Sequence, residues 1–154
     1  MMPDIGLDWV PETQVASVSV DANDLSTDSG LQTAIILSLF TDRRAEPGDV
    51  LPVGDSDRRG WWADAAPVVN GDKFGSRLWL LERSKRTPSV LSRAEAYSSE
   101  ALQWLIDDKV AKSISVSASF LPDVEGLALA VSITKPSSDV VRFRFSTAWS
   151  AEGL

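Results

Sequence analysis

The stretch Ser113-Ile114-Ser115-Val116-Ser117-Ala118-Ser119-Phe120 decides the fold, together with the two stretches that follow it. Apolar residues alternate with serine along it, which is the two-residue period of a half-buried strand. Leu127, Leu129, Val131 and Ile133 repeat the alternation against Ala, Ser and Thr. Val141, Phe143, Phe145 and Trp149 repeat it again, with Arg142, Arg144 and Ser146 on the other face. Leu121 to Gly126 and Lys135-Pro136-Ser137-Ser138-Asp139 read as the turns between them. Three consecutive strands with short links predict an antiparallel meander.

Upstream, helical spacing replaces alternation. Thr87-Pro88 predicts a helix start, with Thr as cap and Pro at the first helical position. Val90, Ala94, Tyr97, Ala101 and Trp104, with Leu91, Leu102 and Leu105, follow a helical period that ends near Asp107-Asp108. Ser29 and Gln32 have the spacing of a capping box, so a first helix is expected over the apolar run Leu31 to Phe40. That run is apolar on nearly every side, which predicts burial, and Arg43 and Arg44 are expected in its last turn, favourable to the helix dipole. Ser76 to Glu82 reads as a short helix. Near the N-terminus, Ile5, Leu7 and Trp9 alternate with polar residues and glycine, as do Ala16, Val18 and Val20. Pro11-Glu12-Thr13-Gln14 reads as the turn between two short strands. The expected architecture is one α+β domain over residues 1–154, with two main helices packed on an antiparallel sheet.

Residues 45–73 read as a long loop, because Pro47, Gly48, Pro52, Gly54, Gly60, Pro67 and Gly71 break every period. A loop of this length inside a compact domain is commonly functional. It has few aliphatic residues of its own, so partial disorder is expected in the isolated chain and order in an assembly. It holds Arg58-Arg59-Gly60-Trp61-Trp62 and lies between Arg43-Arg44 and Arg77-Leu78-Trp79 with Arg83. Arg and Trp are enriched where proteins bury contacts with partners. Arg43, Arg44, Arg58, Arg59, Trp61, Trp62, Arg77, Trp79, Arg83, Arg142 and Arg144 are therefore the candidate partner-binding residues. Each arginine has a competing internal reading, Arg58 and Arg59 with Asp55, Asp57 or Asp64. Each tryptophan can instead close over the domain's own helices.

Composition narrows the chemistry. The 154-residue chain contains no cysteine and no histidine. It therefore has no disulfide, no thiolate nucleophile, no histidine base and no Ser-His-Asp triad. Asp55-Ser56-Asp57-Arg58-Arg59-Gly60 begins like a calcium loop, but Arg59 and Ala66 stand where further ligands are needed. No metal and no cofactor are expected. Net charge is −7, which argues against binding a nucleic-acid backbone. The charge is uneven. Residues 1–40 hold six acids and no Lys or Arg, whereas residues 41–86 hold nine bases and eight acids. The acidic segment is expected against an arginine-rich surface, its own or a neighbour's. No apolar run is long enough for a membrane-spanning helix, so no membrane anchoring is expected, and the N-terminus lacks the pattern of a signal peptide.

Asp24-Leu25-Ser26-Thr27-Asp28, Ser38-Leu39-Phe40-Thr41-Asp42-Arg43-Arg44, Asp57-Arg58-Arg59-Gly60-Trp61-Trp62 and Gly75-Ser76-Arg77-Leu78-Trp79-Leu80-Leu81-Glu82-Arg83 together resemble the baseplate protein family of Mu-like contractile-tailed phages. The resemblance continues through Ala94-Glu95-Ala96-Tyr97 and Glu100-Ala101-Leu102-Gln103-Trp104-Leu105, so it covers nearly the whole chain. More loosely, Phe74-Gly75-Ser76-Arg77-Leu78 resembles the wider sheath-initiator family. The resemblance implies a structural protein, made in the bacterial host cytoplasm and placed in the virion tail baseplate. It implies about six copies that link wedge to hub or spike and offer a sheet edge to the first ring of the tail sheath. Sheath initiators often carry a Glu-Pro-Arg triplet after the second helix. Ile106-Asp107-Asp108-Lys109-Val110 stands there instead. Two other classes remain open. One is a carboxylate-based peptidoglycan hydrolase using Glu46, Glu82, Glu95 or the loop aspartates, the other a small protein-binding adaptor.

Overall fold

The computed structural model describes residues 30–52, 54–66 and 71–147 with their side chains, and the backbone of Ala148 and of six short strands before Gly30. Those strands are β1 (Asp4–Ile5), β2 (Leu7–Val10), β3 (Val15–Val18), β4 (Val20–Asp21), β5 (Asp24–Leu25) and β6 (Thr27–Asp28). β2 and β3 form the expected antiparallel hairpin, with Leu7 opposite Val18 and Val10 opposite Val15. Its turn, Pro11 to Gln14, lies outside the described residues. Ile5 and Val20 do not extend that hairpin. Ile5 belongs to β1, which pairs with β6, and Val20 belongs to β4, which pairs with β5.

Helix α1 spans Leu31–Phe40. Gly30 stands at its cap position with a left-handed φ of 76°, and no side chain caps it. Gly30 rather than Ser29 thus holds the cap position, and the expected capping box rests on Ser29, which lies outside the described residues. Ile35, Ile36, Ser38 and Leu39 are buried, but Leu37 is exposed, so the helix is not covered on every side. The helix also stops earlier than its composition suggests. Thr41 is already extended, and no basic residue lies in the last turn. Arg43 and Arg44 thus sit beyond the helix and leave its dipole unbalanced.

The second helix, α2, spans Pro88–Asp107 with Thr87 as its cap residue, as the sequence predicts. Val90, Ala94, Ser98, Ala101, Leu102 and Leu105 are its buried stripe. It ends where Lys109 takes a left-handed φ of 60°. The Ala111 amide then donates to the Leu105 carbonyl, and Lys112 donates to Thr134, which delivers the chain into the sheet.

The sheet is the expected meander of β7 (Ser113–Phe120), β8 (Gly126–Thr134) and β9 (Val140–Ala148), in the order β7-β8-β9. Trp149 lies outside the described residues. The registers Val116 opposite Val131 and Val131 opposite Phe143 put Ile114, Val116, Leu129, Val131, Ile133, Phe143 and Phe145 on one face. That face and the two helices share one core, which includes Ile35, Leu39, Leu81, Leu102, Leu105, Leu129 and Ile133. Burying each such side chain is worth about 1.5–3 kcal/mol. Trp104 joins the helices through a polar contact. Its indole N–H donates to the Ser38 hydroxyl at 3.0 Å, and that hydroxyl donates to the Ala34 carbonyl at 2.7 Å.

The two edges of the sheet differ. On β7, the Ala118 amide donates to the Glu95 carboxylate of α2 at 3.0 Å. Next to it, Arg86 donates to the Leu121 carbonyl at 2.9 Å and lies over the Phe120 ring. On β9, Arg142 and Arg144 are exposed on the face away from the helices.

Candidate functional site

The site begins where α1 ends. Ser76 receives the chain as it leaves the helix. Its amide donates to the Thr41 carbonyl at 2.8 Å, its carbonyl accepts from Arg43 at 2.9 Å, and its hydroxyl donates to Leu39. Such close approach needs glycine at position 75. Gly75 has φ 97°, and a Cβ there would collide with the Thr41 carbonyl. The next residues form a 3-10 turn, Leu78–Leu81, rather than the longer helix that Ser76 to Glu82 suggests. All four of its side chains are buried, and the Trp79 indole N–H donates to the Arg43 carbonyl at 2.8 Å.

The loop over 45–73 is held to this base by polar contacts. Arg59 is the centre of one cluster. It reaches Asp42 at 2.9 Å, Glu82 at 3.4 Å and Asp55 at 3.5 Å. Its guanidinium lies over the Trp79 ring, 4.4 Å from the centroid. Burial alone would lower the Arg59 pKa, but the Asp42 and Glu82 carboxylates outweigh it and raise the value. Arg77 is the centre of a second cluster. It donates to both Asp49 oxygens at 2.9 and 3.0 Å and to Glu100 of α2 at 3.0 Å, and it stacks over Tyr97. Its pKa is also raised, since the Asp49 and Glu100 hydrogen bonds exceed the effect of burial. Asp49 shows the converse. Burial pushes its pKa up, yet the bonds from Arg77 and the Glu46 amide hold it lower than usual.

Two further contacts complete the loop. Lys73 meets Glu46 at 2.6 Å, and this hydrogen bond is the main cause of a lowered Glu46 pKa. Arg58 donates to the backbone carbonyls of Glu46 and Pro47, not to the aspartates near it in sequence. The acids of the calcium-like stretch serve the backbone. Asp55 accepts from the Asp57 amide, and Asp57 accepts from the Arg59 amide. Among the described residues, no group of three or more acids could hold a metal.

Above this base the aromatic residues are exposed. A 3-10 turn over Trp62–Ala65 lifts Trp62 until it is 83% exposed, while Trp61 is 40% exposed. Neither ring is buried over the domain's own helices. Trp61 stacks at a tilt between Trp62 at 5.8 Å and Phe74 at 5.2 Å, forming a short aromatic ridge. Gly60 precedes it with φ 119°, pressed against Arg44. Between the ridge, the end of α1 and the end of the sheet lies an open cleft of about 460 Å³. Asp42, Arg59 and Glu82 line it among Trp61, Trp62, Trp79, Phe40, Leu127 and Leu129.

The candidate residues thus separate. Trp79 is buried beneath Arg59 and offers no surface. Arg43, Arg59 and Arg77 are engaged by carboxylates within the chain. Arg44 and Arg58 line a separate shallow groove with Glu46, Pro47 and Lys73. Arg83 is exposed just after the 3-10 turn, with a left-handed φ of 61°. Arg142 and Arg144 lie apart, on β9. Sequence reasoning missed Asp42, Asp49, Glu100 and Phe74. No local pattern links Asp49 to Arg77 across 28 positions.

Comparison with known proteins supplies the family. The family model described as phage protein GP46 matches residues 31–140. The chain is 40% identical over 149 residues to the baseplate protein gp46 of Escherichia phage Mu, covering 97% of this chain and 99% of the relative. It is 38% identical over 149 residues to the Mu-like prophage FluMu protein gp46 of Haemophilus influenzae, with the same coverage. Both helices, the arginine-clamped loop and the first two strands of the sheet fall within the matched family region. The chain belongs to the Mu-like phage baseplate family that the GP46 model describes.

Proposed function

We propose that this chain is a structural component of a contractile tail baseplate, phage or prophage, that links wedge to hub and starts the sheath. The observation that carries the reading is its near full-length similarity to a protein named as a baseplate protein of phage Mu. The whole chain, residues 1–154, acts as one baseplate-protein domain with six copies per tail. The exposed aromatic ridge and β9 are its contact surfaces for neighbouring baseplate subunits and for the sheath. The open edge of β9 supports strand addition by another subunit. Three of the carboxylates open to a hydrolase have partners within the chain. Glu82 pairs with Arg59, Glu46 with Lys73, and Glu95 with the β7 backbone. Among the described residues, no helix is long and apolar enough to cross a membrane.

Quantitative mass spectrometry of purified tail particles tests the reading. A ratio near six copies of this chain per tail is expected. Absence from the particles would overturn it. Truncation after Asp139 tests the sheath step, because it removes β9. Particles with a complete baseplate and no attached sheath are expected, and normal sheath growth would count against that step.

A further inference from the structure

The arginines around the loop suggest at first an acidic partner, gripped by guanidinium groups. The geometry points the other way. Among the described residues, Arg59 is the only cation lining the cleft, and it is already opposed by Asp42, Asp55 and Glu82. One positive charge against three carboxylates leaves the cluster negative. Asp42 and Glu82 both face the cleft, and their side chains remain 44% and 30% exposed. Arg44 donates to the Arg59 carbonyl at 3.3 Å and half-buried Arg58 to the Glu46 and Pro47 carbonyls, and both line the other groove, beside Glu46 and Lys73. The exposed Trp61 and Trp62 side chains line the same cleft, and an indole ring attracts a cation. Half-buried Phe40 also lines the cleft and offers an apolar wall to the stem of a long side chain.

We propose that this cleft receives an arginine or lysine side chain from a basic segment of a neighbouring protein, its charge held between the Trp61–Trp62 rings and the Asp42 and Glu82 carboxylates. The net charge of −7 favours approach of such a segment over long range. An exposed Trp62 is a suitable anchor, since tryptophan dominates interface energetics when it becomes desolvated. That the neighbour is a baseplate subunit rests on the function proposed above; that it is basic rests on the cleft alone.

The test places the photoreactive residue p-benzoylphenylalanine at position 62 of the chain assembled into tail particles. After irradiation, mass spectrometry identifies the cross-linked segment. A segment of another protein with Arg or Lys within two residues of the cross-link is expected. Cross-links confined to acidic or uncharged segments, or none although the chain is in the particles, would overturn the proposal. If the chain is absent from particles, the baseplate reading fails and the free chain decides the matter. It is titrated with acetyl-Gly-Arg-Val-Arg-Gly-amide and with the same peptide carrying Glu in place of Arg. The indole N–H signals of Trp61 and Trp62 should move with the arginine peptide only; equal or absent shifts would overturn the proposal. Trp62→Ala should reduce incorporation into particles about tenfold or more. The same variant should melt at the wild-type temperature, which separates lost docking from lost folding.

Discussion

The guanidinium of Arg59 lies over the ring of Trp79, 4.4 Å from its centroid, while its Nη1 reaches Asp42 at 2.9 Å. The two contacts use different parts of one planar group. The π face rests on a buried indole, and the rim donates to carboxylates. Lysine cannot do both. Arg59→Lys is expected to destabilise the protein by about 1–2 kcal/mol. Urea unfolding measures the loss, and a midpoint unchanged from wild type would refute the account.

Arg77 holds the loop to α2, because Asp49 and Glu100 come from opposite sides of it. Asp49 is the least exposed acid in this network, with 13% of its side chain accessible. Arg77→Ala leaves that carboxylate without its main partner, at an expected cost of about 2 kcal/mol. Arg77→Ala combined with Asp49→Ala should cost less than the sum of the two single changes. Strict additivity in the double-mutant cycle would mean that the pair is not coupled.

Acid should weaken the same network. Asp49 and Glu46 both have lowered pKa values in the folded chain, so the unfolded chain binds protons more readily. Their contribution is fully present above the ordinary carboxylate range, about pH 4, and is lost as pH falls through their folded values. Melting temperature should therefore be flat above about pH 5 and fall below about pH 4. Asp49→Asn should start lower at neutral pH and show a shallower acid decline. An identical slope in the variant would remove Asp49 from the explanation.

Glycines 75 and 48 separate backbone necessity from convenience. Gly75→Ala meets the Thr41 carbonyl and must also hold a left-handed φ, so a loss of about 2 kcal/mol or more is expected. A Cβ on Gly48 meets nothing within 4 Å. Gly48→Ala should be neutral or stabilise by up to about 1 kcal/mol. Thermal melts of the two variants decide the matter, and equal effects would refute it.

Hydrogen exchange should report how the loop is held. The described residues of 45–73 rest on ion pairs and backbone acceptors, with only Ala45 and Leu51 among them joining the small apolar cluster of Trp79 and Leu80. In the isolated chain, protection there should fall as salt rises, while α2 stays protected. Uniformly high, salt-independent protection across the loop would contradict this.

Periodicity made the sheet and α2 legible. Ile114 to Phe120 and Leu127 to Ile133 bury alternate residues on one packed face, and a period of two has no other good solution there. The end of α1 was not legible. Arg43 and Arg44 suit a helix terminus by charge, but Gly75-Ser76 offers Thr41 and Arg43 backbone partners, and the chain leaves the helix early. That contact spans more than thirty positions and leaves no periodic trace. The site was half legible for the same reason. Arg59, Trp61 and Trp62 stand out by type, whereas Asp42, Asp49 and Glu100 look like ordinary surface acids until the fold brings them to an arginine. The sign of the cleft depends on that pairing, so it could not be read from composition.

Glu95 gives the sheet a direction. By accepting the Ala118 amide, it occupies a donor that an incoming strand on the β7 side would need. A newcomer there must first strip Glu95 from the backbone, leaving a carboxylate in search of a partner. The cost falls before any new strand bond forms, so a partner that adds a strand to this sheet is steered away from β7 without a bulky blocking group on that edge.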